Sequence, residues 1–388
     1  MAPKEHAAAP RQQLAIIPFN RPFATGREFA YIQEAILNGH ISGDGPFTKR
    51  CQALLERAVG CTRALLTTSC TDALEMSALL LDIRPGDEVI VPSFTFVSSV
   101  NAFALRGAVP RFIDIRTDTL NLDENLLESL IGPATKAIVV VHYAGVACEM
   151  DRIRQIASAR RIPIVEDNAH GLFARYRGRN LGTLGALSTL SFHETKNISC
   201  GEGGALLIND PAYVDRAEIL REKGTNRSRF FRGQVDKYTW VDLGSSFLPS
   251  DVLAAFLWAQ LEDRERIQSL RKRVWEFYRD RLAAWASAHG VRMPLVPDGC
   301  DQSYHMFYLI MPSGGHRDRL IAHLRAQDIH SVFHYVPLHL SEMGQRAPAA
   351  VCPVTEDISR RLVRLPFYNS LTEEEQLRVI AAIEQVPL

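Results

Sequence analysis

Ser191-Phe192-His193-Glu194-Thr195-Lys196-Asn197, followed by Cys200-Gly201-Glu202-Gly203-Gly204, is the stretch on which the fold turns. The apolar run from Gly185 to Phe192 reads as a buried strand and the glycines as a turn. Lys196 then falls on a loop leaving the strand's end. Strand ends of open α/β sheets are where ligands bind. Lysine is scarce inside proteins unless it is paired or used, and a used lysine often forms a Schiff base with a carbonyl. Alone, Lys196 reads as a solvated surface residue, as most lysines are, so the stretch takes its weight from two others.

The first is Ile164-Val165-Glu166-Asp167-Asn168-Ala169-His170, a β-branched run ending in acid. A carboxylate at a strand's carboxyl end can sit against a pyridine nitrogen and keep it protonated, which pyridoxal phosphate chemistry requires. The other reading of Asp167 is an N-cap of a following helix. The second is Thr67-Thr68-Ser69-Cys70-Thr71-Asp72-Ala73-Leu74. It leads from a short strand (Ala64 to Leu66) into a helix marked by Ala73, Leu74, Met76, Leu79 and Leu80. Such a junction offers backbone N–H groups and a helix dipole to a phosphate, with Ser69 and Thr71 adding hydroxyls. An ordinary cap without a ligand is the alternative.

The 388 residues suffice for two domains with a large core. Lys+Arg and Asp+Glu both number 44, so the basic excess of a nucleic-acid binder is missing. No apolar run reaches the length of a membrane span. Met1 to Gln13 lacks the apolar core of a secretion signal and is expected to be a disordered lead-in. The seven cysteines are odd in number, scattered and without a C-x-x-C pair. That pattern speaks against a disulfide framework or a zinc site and for a reducing cytoplasm. No histidine pair has metal-ligand spacing, so no metal is expected.

Strand-like runs at Glu88–Val91, Arg111–Ile115, Ala137–His142, Pro163–Glu166, Leu187–Phe192 and Ala205–Ile208 alternate with helical patterns such as Asp123–Leu130 and Met150–Arg160. Alternation of this kind predicts βαβ units and a mainly parallel sheet. No G-x-G-x-x-G follows the first strand, so a dinucleotide fold is not indicated. Residues 220–250 read as a polar, basic loop. One long helix is expected from Pro249 to Ala284, joining two domains. Short strands at Met306–Ile310 and His330–His334, with terminal helices, predict a smaller α+β domain.

Together the segments resemble the DegT/StrS-type nucleotide-sugar aminotransferases, fold-type I enzymes that use pyridoxal 5'-phosphate. The resemblance runs from about Ile17 to the C-terminus. It is carried by Ser42-Gly43-Asp44-Gly45-Pro46, Pro92-Ser93-Phe94-Thr95-Phe96, Glu166 to His170, Ser191 to Lys196, and His334-Tyr335-Val336-Pro337-Leu338-His339. It implies an α/β fold: a mainly parallel central sheet flanked by helices, then a smaller C-terminal α+β domain. The corresponding division is a lead-in at 1–15, a large cofactor-binding domain at 16–248, and a connecting helix with the small domain at 249–388.

The resemblance also implies roles. Lys196 forms the Schiff base with the cofactor and shuttles the proton. Asp167 pairs with the pyridinium nitrogen. Phe96 stacks on the ring, where the alternative is a core aromatic. His170 lies near the ring hydroxyl. Ser69, Cys70, Thr71 and Ser191 cradle the phosphate, with Cys70 standing where Gly or Ala is common. Asn226 reaches the phosphate of the partner subunit in a homodimer, or is a solvated loop residue. His334 and Tyr335 contact the sugar substrate, or form a structural β-edge pair. The presence of Lys196 separates the chain from dehydratase relatives that carry histidine there.

Ser191–Asn197 and Asp242–Ser250 look most like the branch that aminates C4 of dTDP-4-dehydro-6-deoxy-D-glucose with L-glutamate, giving dTDP-4-amino-4,6-dideoxy-D-galactose. The setting would be surface polysaccharide or an amino-sugar product. Gly244-Ser245-Ser246-Phe247-Leu248 replaces the usual Gly-Tyr-Asn-Tyr-Arg. That change either alters the acceptor pocket or repacks the start of the long helix. Amination at C3, the C4 epimer, and a non-catalytic cofactor-binding regulator are the competing readings. The regulator needs an added DNA-binding motif, for which the segment before Pro18 leaves no room.

Overall fold

The computed structural model describes residues 15–387. Of the expected lead-in, residues 1–14 lie outside the described residues. Nine strands matter for the large sheet and its neighbours: β1 (Arg63–Thr67), β2 (Glu88–Pro92), β3 (Val109–Ile113), β4 (Thr135–Val141), β5 (Ile164–Asp167), the short β6 (Arg175–Tyr176) and β7 (Arg179–Asn180), β8 (Leu187–Ser191) and β9 (Gly204–Ile208). Seven of them form one sheet in the order β1-β9-β8-β5-β4-β2-β3. The β3–β2–β4–β5–β8 pairings are parallel, and β9 runs antiparallel between β8 and β1. The expected mainly parallel sheet is therefore present, with β9 as its one reversed member.

These segments pair as strands because both faces of the sheet are covered. In β4, Ala137 and Val139 join a core with the helix Cys70–Leu80, while Ile138 and Val140 join a core with the helix Met150–Ala159. Burial on both sides makes a parallel strand read as an unbroken apolar run. A third core lies over β1, β8 and β9, under the helices Pro46–Val59 and Asp251–Glu262.

Ser42–Pro46 is structural. Asp251 accepts hydrogen bonds from the N–H groups of Phe47 (3.2 Å) and Thr48 (2.8 Å) at the start of the first of these helices. Asp44 pairs with the buried Arg221. A Cβ on Gly45 would stand 2.3 Å from the Asp251 carboxylate, so only glycine fits.

The C-terminal part contains β10 (Cys300–Asp301), which adds to β6, and the antiparallel pair β11 (Tyr308–Ile310) and β12 (Leu362–Arg364). Its core combines the helices Arg264–Ala288, Gly314–Ala326 and Glu373–Glu384 with Ile17 from the N-terminal segment.

Two expectations are corrected here. The single helix over Pro249–Ala284 is two, Asp251–Glu262 and Arg264–Ala288, broken at Asp263 (φ −95°, ψ 15°). The strand at His330–His334 is a lone bridge between Val332 and Arg364, because the flanking residues find no ladder partner. The polar segment 220–250 also contains a short helix, Arg227–Phe231. Among the described residues no helix is long and apolar enough to cross a membrane.

Candidate active site

The carboxyl ends of the parallel strands open on a cavity of about 450 Å³. Ten of the eleven residues singled out from the sequence line it: Ser69, Cys70 and Thr71; Phe96; Asp167 and His170; Ser191 and Lys196; His334 and Tyr335. Asn226 does not. Its Oδ1 accepts from Thr239 N–H (2.8 Å), which ties its own loop together away from this cavity.

The turn after β1 is held in several ways. Ser69 caps the helix Cys70–Leu80, its Oγ accepting from Asp72 N–H at 3.0 Å. Thr71 Oγ1 meets Ser98 Oγ at 2.8 Å, and Cys70 Sγ lies 3.5 Å from Thr189 Oγ1. Burial pushes the Cys70 thiol far up, so it stays protonated. Gly204, the first residue of β9, sits opposite both Thr67 and Ser191. A Cβ there would come within 2.3 Å of the Ser69 carbonyl carbon. Glycine at this point is therefore a condition for the turn to sit where it does.

Asp167 ends β5, opposite Thr189 of β8. It is buried, and its Oδ2 accepts from Ser99 Oγ at 2.6 Å. Since Ser99 has one proton and gives it to the carboxylate, Thr95 Oγ1 (2.8 Å away) donates to Ser99 in turn. Asp167 does not cap a helix: a turn follows, and Oδ1 accepts from Ala169 N–H at 3.2 Å.

Directly before it, Glu166 is fully buried and accepts from Gly182, Leu184 and Gly185 N–H (2.9, 2.7 and 2.6 Å) and from His142 Nε2 (2.9 Å). Cys148 N–H points at His142 Nδ1 (3.2 Å), which places the histidine's proton on Nε2, facing Glu166. Burial works against the Glu166 carboxylate, but these hydrogen bonds hold it below its ordinary range.

Lys196 lies on the loop after β8, its backbone N–H bonded to the His193 carbonyl at 2.9 Å. Burial, with a smaller contribution from the nearby Arg364, pulls its amine down to about 8, while Cys70 and Asp167 act the other way. Asn197 anchors this loop to the C-terminal part. Its Nδ2 donates to the Ser303 carbonyl (2.6 Å), and its Oδ1 accepts from His305 Nδ1 (2.8 Å).

His305 stacks under His170 (centroids 4.2 Å apart, planes 17° apart). His170 is buried and its Nδ1 has no hydrogen-bond partner. Desolvation keeps both rings neutral. Phe96 is 59% exposed whereas Phe94 is 1% exposed, so Phe94 is the core aromatic and Phe96 is free to face a ligand.

Sequence reasoning missed Arg364, His305 and the Thr95–Ser99 relay. Arg364 Nη1 lies 2.8 Å from His334 Nε2. Arginine only donates, so His334 Nε2 accepts, and its Nδ1–H is left for Tyr143 Oη at 3.1 Å. His334 stacks on Tyr335 with centroids 3.7 Å apart. The β-edge reading of this pair does not hold, since neither residue is in a strand.

A half-buried lysine, a buried carboxylate and a capped helix start, gathered at the carboxyl edge of a mainly parallel sheet, match a fold-type I aminotransferase. The family model described as the DegT/DnrJ/EryC1/StrS aminotransferase family matches residues 23–384. The chain belongs to that family, whose enzymes work with pyridoxal phosphate.

Solved structures agree over nearly the whole length. DesV of S. venezuelae, solved in complex with a ketimine intermediate, is 31% identical at a TM-score of 0.85, covering 96% of this chain and 98% of that one. The aminotransferase TlmJ from Streptoalloteichus hindustanus is 29% identical at a TM-score of 0.88, with 95% and 98% covered. The Streptococcus pneumoniae protein Spr1654, described as a sugar aminotransferase and solved in a PMP form, is 26% identical at a TM-score of 0.87, with 96% and 98% covered.

Proposed function

We propose that this chain is a sugar aminotransferase. In this reading it moves an amino group from L-glutamate to C4 of dTDP-4-dehydro-6-deoxy-D-glucose, giving dTDP-4-amino-4,6-dideoxy-D-galactose. The observation that carries the proposal is the half-buried Lys196 sharing one cavity with the buried Asp167 and the capped start of the helix Cys70–Leu80.

The residues present fit pyridoxal phosphate. The unpartnered His170 Nδ1 and the exposed Phe96 ring, both on the cavity wall, offer a hydrogen-bonding partner and a stacking face to a flat polar ring. When bound, the cofactor supplies an electron sink that lets nitrogen pass from one carbon to another. The turn Ser69–Thr71 and Ser191 would take its phosphate. Asp167, fixed in orientation by Ser99, would hold a proton on the ring nitrogen. Lys196 Nζ would take the proton from the donor's α-carbon and later deliver one to the sugar carbon. An amine pulled down to about 8 is neutral and proton-accepting far more often at neutral pH than an ordinary lysine. Tyr335 and His334 would bound the sugar side.

Residues 16–248 would then form the cofactor-binding part and 249–388 the small domain with its connecting helices. A homodimer is part of the reading. Asn226 would reach the partner's cavity, and the exposed Phe29, Leu37 and Trp240 offer apolar surface for an interface. Seven free cysteines support a cytoplasmic setting.

The test is an absorption spectrum of the purified protein, repeated after L-glutamate and again after dTDP-4-dehydro-6-deoxyglucose, with NMR of the product. A cofactor band that shifts on glutamate and returns on sugar, with an axial amine at C4, supports every element. A band that shifts but does not return keeps the aminotransferase and discards this sugar. An equatorial amine moves the product to the C4 epimer.

A further inference from the structure

Ser303-Tyr304-His305 belongs to the C-terminal part, yet it bonds to the loops after three strands of the large sheet. Ser303 N–H donates to the Gly145 carbonyl (3.3 Å) after β4, and Ser303 Oγ donates to the His170 carbonyl after β5. The Ser303 carbonyl accepts from Asn197 Nδ2 (2.6 Å) after β8. Ser303 is fully buried, and a Cβ on Gly145 would stand 1.9 Å from its Oγ. The segment is thus wedged between the loops that carry the site.

Its shape is costly. Tyr304 has φ +54°, in the left-handed region that a bulky side chain avoids. The buried Arg271 holds it there. Arg271 Nε donates to the Tyr304 carbonyl (3.0 Å), Nη2 to the His305 carbonyl, and Nη1 to Asn369 Oδ1 (2.9 Å). Such strain persists only where the surroundings over-determine it, and it gathers at functional sites. What the turn at Tyr304 achieves is local: it brings the Ser303 carbonyl and the His305 ring to one side chain, Asn197.

The direction of each bond follows from the acceptors. Asn197 Nδ2 faces the Ser303 carbonyl and Gln268 Oε1 (3.3 Å), so its Oδ1 faces His305. His305 Nδ1 therefore carries a proton and donates it to Asn197 at 2.8 Å. Asn197 directly follows Lys196. Lysine has a flexible four-carbon stem, so where its amine reaches depends on where its backbone stands. All three of these side-chain bonds tie that backbone to C-terminal residues rather than to the sheet.

We infer that His305 and Asn197 are a positioning pair for Lys196, their hydrogen bond fixing the backbone from which the amine reaches the reacting carbon. This rests on the aminotransferase reading, in which Lys196 moves the proton. His305 acts through Asn197, and the C-terminal part thereby sets the geometry of a step carried out by a residue of the sheet.

The experiment separates the hydrogen bond from the ring. In His305→Asn the side-chain amide stands in for the Nδ1 donor and the ring stacked on His170 is lost. In His305→Phe the ring is kept and the donor is lost. In cofactor-free protein, hydrogen–deuterium exchange of segment 193–200 should rise about tenfold in His305→Phe and Asn197→Ala, and stay near the parent in His305→Asn. In cofactor-loaded protein, single-turnover reaction with L-glutamate should slow about 10–100-fold in His305→Phe, as expected for a misplaced proton acceptor. Its KM values for L-glutamate and the keto-sugar should stay within about threefold of the parent. The rate difference between L-glutamate and its α-deuterated form should widen, and His305→Asn should recover most of the lost rate. The double variant Asn197→Ala/His305→Phe should be no slower than its slower single variant, because one contact is removed twice. Equal losses in the two His305 variants would assign the effect to the stacked ring and overturn the pairing. Unchanged exchange in segment 193–200, or a loss confined to KM, would overturn it as well. Failure of the unaltered protein to react with any amino acid would remove the function proposed above, and this inference with it. Parent-like rates in His305→Phe would remove this inference alone.

Discussion

On the sheet side of the cavity the polar groups are committed to one another. Ser69 caps its helix, Thr71 meets Ser98, and Asp167 takes the proton of Ser99. On the opposite side the walls are rings in loops: His170 on His305, and His334 on Tyr335. That side retains unused polar atoms, His170 Nδ1 and Arg364 Nε. The first wall is built by strand ends and a helix start, whose backbone fixes the side chains. The second is built by stacking, by loops and by the end of β12. The committed groups suit a cofactor that stays, with His170 Nδ1 left to complete its contacts, and the loop-borne His334 and Tyr335 suit substrates that come and go.

The contrast can be broken from either side. The largest effect belongs to Lys196: Lys196→Ala should abolish turnover while leaving the circular dichroism spectrum and melting temperature close to those of the parent. Measurable turnover in that variant removes the base from the sheet wall. Asp167→Asn should come next, slowing proton transfer by about 10²–10⁴-fold in single-turnover experiments with the fold intact. An unchanged rate would mean that the carboxylate is only a strut.

Glu166→Gln tests the foundation under Asp167. Replacing a buried carboxylate that accepts from three backbone N–H groups and from His142 should cost about 1–3 kcal/mol, to be read from urea denaturation. The sign with pH follows from the lowered Glu166 value. Its contribution is complete above the ordinary carboxylate value of 4.5 and is lost as the pH falls below it, so the parent and variant curves should converge in acid. The smallest effect is Phe96→Ala. Losing one stacked ring should weaken cofactor affinity by about 1 kcal/mol, measured by fluorescence titration. A null result would assign Phe96 to substrate or partner.

What could be read from the sequence follows the same line. The inner strands of the large sheet were legible because both faces are buried, which leaves continuous apolar runs such as Ala137 to Val141. Lys196 and Asp167 were legible because each follows such a run. The break at Asp263 was not, since apolar residues continue on both sides of it at helical spacing, from Leu261 to Ile267. Arg364 was hidden in Arg360-Arg361-Leu362-Val363-Arg364, a charged stretch that reads as solvated until β12 turns its last side chain inward. His305 had no local signal at all: its place depends on a contact with Asn197, remote in sequence. Phe94 and Phe96 share a motif, and only burial separates their duties.

The reversed strand β9 also has a bearing on time. Gly204 must arrive beside Thr67 and press on the Ser69 carbonyl before the turn is complete, yet the whole run of parallel strands lies between the two in the chain. Contacts so distant in sequence form slowly, because a long loop must close before anything is gained. On a ribosome, β1 and its helix would emerge early and wait, unfinished, until β9 follows. A nascent chain halted before Gly204 would therefore hold most of the strands of the large sheet while the turn at Ser69 still lacked the residue that packs against it.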